Sequence, residues 1–376
     1  VDDLKLLRRS LAKSFGEDSV VFASDIPHYD LVSSGSLALD YAVGGGIPHN
    51  RVIEIAGPEG GGKTSLALLM IKNFLDKYPD KGAVILDLEH RLTSTWITQL
   101  IGAEATERII VLWPDHAEAS TDMYTEIAKS GAVSAILYDS VGGAPSQRVT
   151  DKSATIGNIG GNALAITRLA QFASIYSDKY KVCSIFINQQ REDMSGYHQF
   201  ITPGGRGLKH ACSLRIKLSK GKEKIMEKID NEEIQVGYSV RCQVIKNSLA
   251  PPYKESYYLF YNVPTEKYGF GVDWLEELVR LGSLSGAIEQ TGRGWFWHPA
   301  LPVDPAGDHK VRGLATLMDI IRKDAQVRET IVAEIKNKLH QGAMDAPARS
   351  FDPDLLEEQH QEPAFFKDFE DPEGSE

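Results

Sequence analysis

Short unbroken apolar runs alternate along this chain with longer segments of helical periodicity. Arg51-Val52-Ile53-Glu54-Ile55-Ala56, Ala83-Val84-Ile85-Leu86-Asp87-Leu88, Ile109 to Leu112, Ala132 to Tyr138 and Val182 to Ile187 read as buried strands. Between them Ser65 to Tyr78 and Ala163 to Tyr176 read as helices, the first stopped by Pro79 and Gly82. Strands that are apolar on both sides, separated by helices, predict an α/β fold. Its central sheet is mostly parallel and covered by helices on both faces.

The ends of the chain follow other patterns. Leu4, Leu7, Leu11 and Phe15, spaced by three or four with Lys5, Arg8, Arg9 and Lys13 between them, predict a short basic amphipathic helix. Val20-Val21-Phe22 then forms a strand, paired with another chain or packed on its own core. Past Ala211 to Leu218, the charges from Lys220 to Glu233 predict a solvated hairpin, followed by strands at Tyr238 to Lys246 and Tyr257 to Tyr261. A boundary falls near Glu266 to Gly271. Beyond it come a helix at Val272 to Leu281, a strand at Trp295-Phe296-Trp297 and helical sequence from Ala315 to Leu339. The expected division is 1–28, an N-terminal helix and strand; 29–266, the core; 267–340, a small α/β C-terminal domain; and 341–376, a disordered acidic tail.

Charge refines this division. Of the net charge of −11, −9 lies in residues 352–376, where ten acidic residues face Lys367 alone, leaving −2 on the rest of the chain. A nearly neutral body with an acidic tail is still able to bind a polyanion through local basic patches. Phe365, Phe366 and Phe369 give the tail a place to dock a partner, against the alternative of a solvated segment. No apolar stretch approaches the roughly 20 residues of a membrane span, and the start at Val1-Asp2-Asp3 does not read as a signal peptide. The expected location is therefore cytoplasmic, with no membrane partner. Cys183, Cys212 and Cys242 are too scattered for a disulfide framework and read as buried thiols.

The candidate chemistry begins at Gly57-Pro58-Glu59-Gly60-Gly61-Gly62-Lys63-Thr64-Ser65. A strand precedes it and a helix follows, the context a phosphate-binding loop requires. Glycines let backbone amides curl around phosphate oxygens, and the helix N-terminus adds its positive end. Lys63 is placed to reach the terminal phosphates of a nucleotide, and the Thr64 hydroxyl to hold magnesium. Glu89, Asp139 and Gln189 all fall at carboxyl ends of predicted strands, where ligands bind in such sheets. Asp139 suits a residue that orients magnesium, Glu89 a general base that activates water, and Gln189 a switch that reports the terminal phosphate. Two long irregular segments, 142–162 and 190–207, directly follow these residues. They carry Arg148, Lys152, Arg191, Tyr197, Phe200 and Arg206, with Lys209 just beyond. Such groups contact nucleic-acid phosphates and stack on bases, unless the segments are simply mobile surface loops.

Taken together these residues resemble the RecA family of bacterial and phage DNA strand-exchange proteins. The resemblance spans about Phe15 to Leu339. It is carried by Gly35-Ser36-Leu37-Ala38-Leu39-Asp40, the glycine loop, Asp139-Ser140-Val141, Phe186-Ile187-Asn188-Gln189, Gly204-Gly205 with Leu208-Lys209, and Lys246-Asn247. It implies a RecA-like P-loop core with ATP and Mg2+ bound and catalytic roles for Lys63, Glu89, Gln189 and Lys246. Lys246 corresponds to a lysine that reaches the nucleotide of the adjacent subunit. The two long segments correspond to DNA-binding loops, and the first helix with Val20 to Phe22 to a polymerisation segment. The implied activity is DNA-dependent ATP hydrolysis in a helical filament on single-stranded DNA, which pairs it with a homologous duplex. Single-strand-binding and mediator proteins are the further partners implied. A ring-forming helicase-type ATPase and an ATP-gated mediator with little turnover are the alternatives. Two departures stand out: Ser248 replaces a common second lysine, and Thr93 replaces an aspartate near the adenine, leaving Trp96 to stack on the base.

Overall fold

The computed structural model describes residues 2–17, 20–26, 29–143, 161–192, 200–201, 203–229, 231–265, 269–291 and 294–345. Its centre is a nine-stranded sheet. In chain order the strands are β3 (Val52–Gly57), β4 (Gly82–Asp87), β5 (Ile109–Leu112), β6 (Val133–Asp139), β7 (Cys183–Gln189), β10 (Leu214–Ile229), β11 (Glu232–Asn247), β12 (Glu255–Tyr261) and β13 (Gly271–Val272). They lie side by side as β13-β12-β11-β10-β3-β7-β6-β4-β5. Pairing is parallel from β10 through β3, β7, β6 and β4 to β5, and antiparallel from β10 outward to β13.

The two faces bury separate apolar layers. One face packs Ile53, Ile55, Ile85 and Leu137 against Leu66, Met70, Ile71 and Phe74 of α3 (Lys63–Lys77). The other packs Val84, Leu86, Ile136 and Phe186 against Ile166, Leu169 and Ala173 of the helix Gly161–Tyr180. Burial on both sides explains why these strands read as unbroken apolar runs. The three cysteines are free and buried, and desolvation pushes their thiols up.

At the N-terminus, α1 (Asp2–Phe15) forms as its periodicity predicts, yet only Ala12 is buried. Leu4, Leu7 and Leu11 are exposed, and Phe15 is 70% exposed. The run Val20 to Phe22 forms no strand in this chain. Three apolar residues offer too few ladder bonds to hold a strand by themselves, and no strand among the described residues pairs with them. Two short strands outside the central sheet, β1 (Leu31–Val32) and β2 (Ile47–Pro48), flank α2 (Leu37–Val43). Gly44 ends α2 in the left-handed region at φ 96°, where a Cβ would meet that of Ala250 at 2.5 Å. Only glycine suits both demands.

The C-terminal part builds a third apolar cluster from Leu278, Phe296, Leu317 and Ile331. The central sheet runs past the expected boundary at 266, because Gly271–Val272 pairs with β12. The following helix is Trp274–Ser285, and the sequence from 315 to 339 is split into helices Leu314–Lys323 and Ala325–Asp345 at Asp324. A three-stranded sheet of Glu289–Gln290, Trp295–Trp297 and Lys310–Arg312 completes this part. The tail from 346 lies outside the described residues, as do the aromatic groups expected to dock a partner there.

One buried carboxyl joins the C-terminal part to the core. Glu277 is wholly buried; its Oε1 accepts from the Ser36 hydroxyl at 2.5 Å and its Oε2 from the Leu37 backbone N–H at 3.0 Å. It thereby covers the N-terminus of α2, whose cap Ser36 accepts from Leu39 N–H at 3.1 Å. Burial pushes this carboxyl up to about 8. A carboxyl raised in the folded state binds its proton more tightly there than in the unfolded chain. Its contribution is therefore whole below the ordinary value of 4.5 and is lost as pH rises towards about 8. Glu277→Gln should flatten the fall in unfolding free energy across that window, read by denaturant melts at several pH values. An unchanged slope would remove Glu277 as its source.

Candidate nucleotide site

The phosphate-binding loop leaves β3 at Gly57, where a Cβ would come within 2.4 Å of the Leu218 carbonyl on neighbouring β10. Gly60 and Gly62 take φ of 67° and 84°, in the left-handed region. Gly62 is the N-cap of α3 and provides no side-chain cap, so the first amides of that helix are left for a ligand. Lys63 is 8% exposed, and its Nζ donates to the Pro58 carbonyl across the loop at 2.7 Å. Burial lowers its pKa, while Asp139, Glu89 and Glu59 pull the other way.

Thr64 Oγ1 donates to Asp139 Oδ2 at 2.9 Å. Asp139 ends β6 almost fully buried, and desolvation pushes it up to about 6 even though the Thr64 hydrogen bond and Lys63 favour its charge. Hydroxyl and carboxylate oxygens side by side suit a hard divalent cation such as magnesium. Loop, uncapped helix and buried lysine likewise suit a polyphosphate, so the residues fit both expected ligands.

Glu89 stands just past the end of β4. Its Oε1 accepts from Gln189 Nε2 at 2.6 Å and from the Ser140 hydroxyl, and its Oε2 lies 3.3 Å from Arg91 Nε. Arg91 also donates to Glu59 on the loop at 3.1 Å. Glu59, Glu89, Arg91 and Gln189 line a cleft of about 330 Å³ that also takes in Asp87, Trp96 and Tyr238. Trp96 is half-buried on the helix Ser94–Ile101, and Thr93 is that helix's N-cap, accepting from Trp96 N–H at 3.3 Å. The expected nucleotide residues, Gly57 and Pro58 apart, thus meet around one cleft with Glu89 and Gln189. Those two begin the loop at its base.

The other expected groups are placed differently. Lys246 lies on β11 and donates to the carbonyls of Lys209 and His210, at 3.0 and 3.1 Å, at the end of the helix Gly205–Ala211. It is not among the residues that line its own chain's cleft. Within segment 190–207, β8 (Arg191–Glu192) pairs antiparallel with β9 (Phe200–Ile201) and the helix starts at Gly205, regular elements that its composition does not predict. Arg206 on that helix is exposed and Lys209 is half-buried. Arg148, Lys152 and Tyr197 lie outside the described residues.

Sequence reasoning missed Ser140, Arg91 and Asp87 as site residues, although all three adjoin strand ends. It also missed the anchor beneath the second loop. Asn188 Nδ2 donates to the Pro203 carbonyl at 2.9 Å and to wholly buried Glu54 at 2.8 Å, and Glu54 also holds Arg215. Only the strand pairing brings these together.

Comparison with known proteins adds four findings. The profile of the RecA N-terminal domain matches residues 3–263. Protein RecA of Thermus thermophilus is 32% identical over 343 residues, covering 90% of this chain and 94% of that protein. Protein RecA of Oleidesulfovibrio alaskensis is 31% identical over 349 residues, covering 91% and 92%. Among solved structures, one titled as the crystal structure of the RadB recombinase covers 64% of this chain and 97% of its own, with a TM-score of 0.48 and 18% identity. That overlay is too slight to carry an argument.

Proposed function

The chain belongs to the RecA family, and from that premise we propose an ATP-dependent recombinase that assembles on single-stranded DNA and exchanges it with a homologous duplex. One observation carries the reading: Gln189, the last residue of β7, holds Glu89 at 2.6 Å while the next residues enter the ladder of Arg191–Glu192 with Phe200–Ile201. The phosphate site and the second loop therefore share one strand end.

In this proposal the loop amides, α3 and Lys63 hold the phosphates of ATP, with Trp96 beside the base. Thr64 and Asp139 hold Mg2+, which neutralises charge on the phosphate oxygens when bound. Glu89 accepts a proton from the attacking water. Ser140 and Gln189 donate to its Oε1 and Arg91 faces its Oε2, so a shift of those donors leaves it more basic. The Gln189 amide group has one pair of N–H donors to share. Turning towards a terminal phosphate loosens its grip on Glu89 and moves the base of the second loop, making ATP the switch for DNA contact.

Arg206 and Lys209 are proposed DNA contacts together with Arg148, Lys152, Arg191, Tyr197 and Phe200. The exposed apolar face of α1 would dock on a neighbouring subunit, and Lys246 would exchange its two carbonyl partners for that subunit's nucleotide. The proposed domain division is the one expected from the sequence, with the core carried on to Val272. No helix among the described residues is long and apolar enough to cross a membrane.

The coupling is tested by steady-state ATP hydrolysis with and without single-stranded DNA. Turnover should rise when the DNA is added. Equal turnover in both would overturn the proposed link between the cleft and the loops.

A further inference from the structure

The cleft is short of positive charge for the ligand assigned to it. Its lining includes four carboxylates, Glu59, Asp87, Glu89 and Asp139, against two cations, Lys63 and Arg91. A triphosphate adds further negative charge, and one divalent metal offsets only part of it. Cations must therefore reach the outer end of the phosphate chain.

Two stand on opposite sides of the loop's lip. His90 takes φ 52° in the left-handed region, its ring stacked on Trp113, and this turn sends Arg91 back to the cleft. Arg91 remains 65% exposed while bridging Glu59 and Glu89. From the other side, β10 runs past the loop with its Leu218 carbonyl against Gly57. A register shift in its pairing with β11 follows Lys220, and such bulges re-aim side chains. A Cβ at Gly60 would lie 3.5 Å from the Lys220 ammonium. That ammonium sits 5.4 Å from the ring centroid of Tyr238, whose hydroxyl would lie 3.9 Å from a Cβ at Gly62. Among the described residues no carboxylate forms an ion pair with Lys220, and its cation rests against the face of a ring.

We propose that Arg91 and Lys220 are this chain's own cations for the terminal phosphate of a bound nucleoside triphosphate, closing on the lip at Glu59 and Gly60 from both sides. This rests on the nucleotide reading of the cleft and sharpens it. Arg91 exchanges its carboxylate partners, exposed Glu59 and half-buried Glu89, for a phosphate, which its planar guanidinium fits by paired hydrogen bonds. Lys220 exchanges a π-face for an anion. The site then discriminates triphosphate from diphosphate with residues of the same chain, in addition to anything a neighbouring subunit brings.

The test is equilibrium binding of a non-hydrolysable ATP analogue and of ADP, each with Mg2+, to the full chain and to Arg91→Ala, Lys220→Ala and the double variant. Each single change should weaken analogue binding by about tenfold and leave ADP binding unchanged, so the preference for triphosphate falls. Arg91→Lys and Lys220→Arg should restore part of it. Equal weakening towards both nucleotides, or no weakening, would overturn the inference while leaving the nucleotide site intact. A parent chain that binds neither nucleotide would overturn the nucleotide reading and this inference with it.

Discussion

Replacing Lys63 with alanine should lower ATP turnover by about 10²- to 10³-fold, the scale of losing one preorganised donor to developing charge. Lys63 begins α3 with its amine buried beneath the loop, and its Nζ has only the Pro58 carbonyl as a hydrogen-bond partner among the described residues. Desolvating a cation there without a carboxylate at hydrogen-bond distance is costly. That cost makes sense if the amine's intended partner is a phosphate. The substitution removes a desolvated cation along with its buried stem, two effects that offset each other, and Pro58 is exposed enough for water to take over its carbonyl. Hydrolysis should therefore collapse while the melting transition stays close to that of the parent. Turnover within a few-fold of the parent would detach Lys63 from the reaction.

Glu89→Gln should reduce turnover by about 10²- to 10⁴-fold, the usual worth of a positioned general base, while leaving ATP bound. A glutamine oxygen still accepts from Ser140 and Gln189, while the contact of Oε2 with exposed Arg91 is lost; the amide does not take a proton from water. Because ATP binding and its loss drive opposite states of the second loop in this account, the variant should hold single-stranded DNA longer in the presence of ATP. Dissociation kinetics of a labelled oligonucleotide check this. Full turnover, or a DNA lifetime unchanged by ATP, would remove Glu89 from the proposed role.

Much of this site was legible before any coordinates. A parallel sheet gathers strand ends at one edge, so Glu89, Asp139 and Gln189 had to converge with the loop once their strands were recognised. What resisted reading depends on pairing rather than on periodicity. Lys220 and Tyr238 reach the loop only because β10 lies beside β3 and slips register against β11. Arg91 returns to the cleft only because His90 turns left-handed. The two-residue ladder of Arg191–Glu192 with Phe200–Ile201 is too short to leave a pattern. Val20 to Phe22 forms no strand on its own core, which leaves pairing with another chain as the expectation for that triplet. For Lys246, sequence supplied the residue type and strand; the helix-end carbonyls that hold it belong to tertiary structure.

The most direct test of the central claim is joint-molecule formation between single-stranded DNA and a homologous duplex, with and without ATP. The account predicts joint molecules that require ATP, require homology and disappear in Lys63→Ala. Absence of joint molecules, with ATP-driven unwinding of a forked duplex in their place, would contradict it.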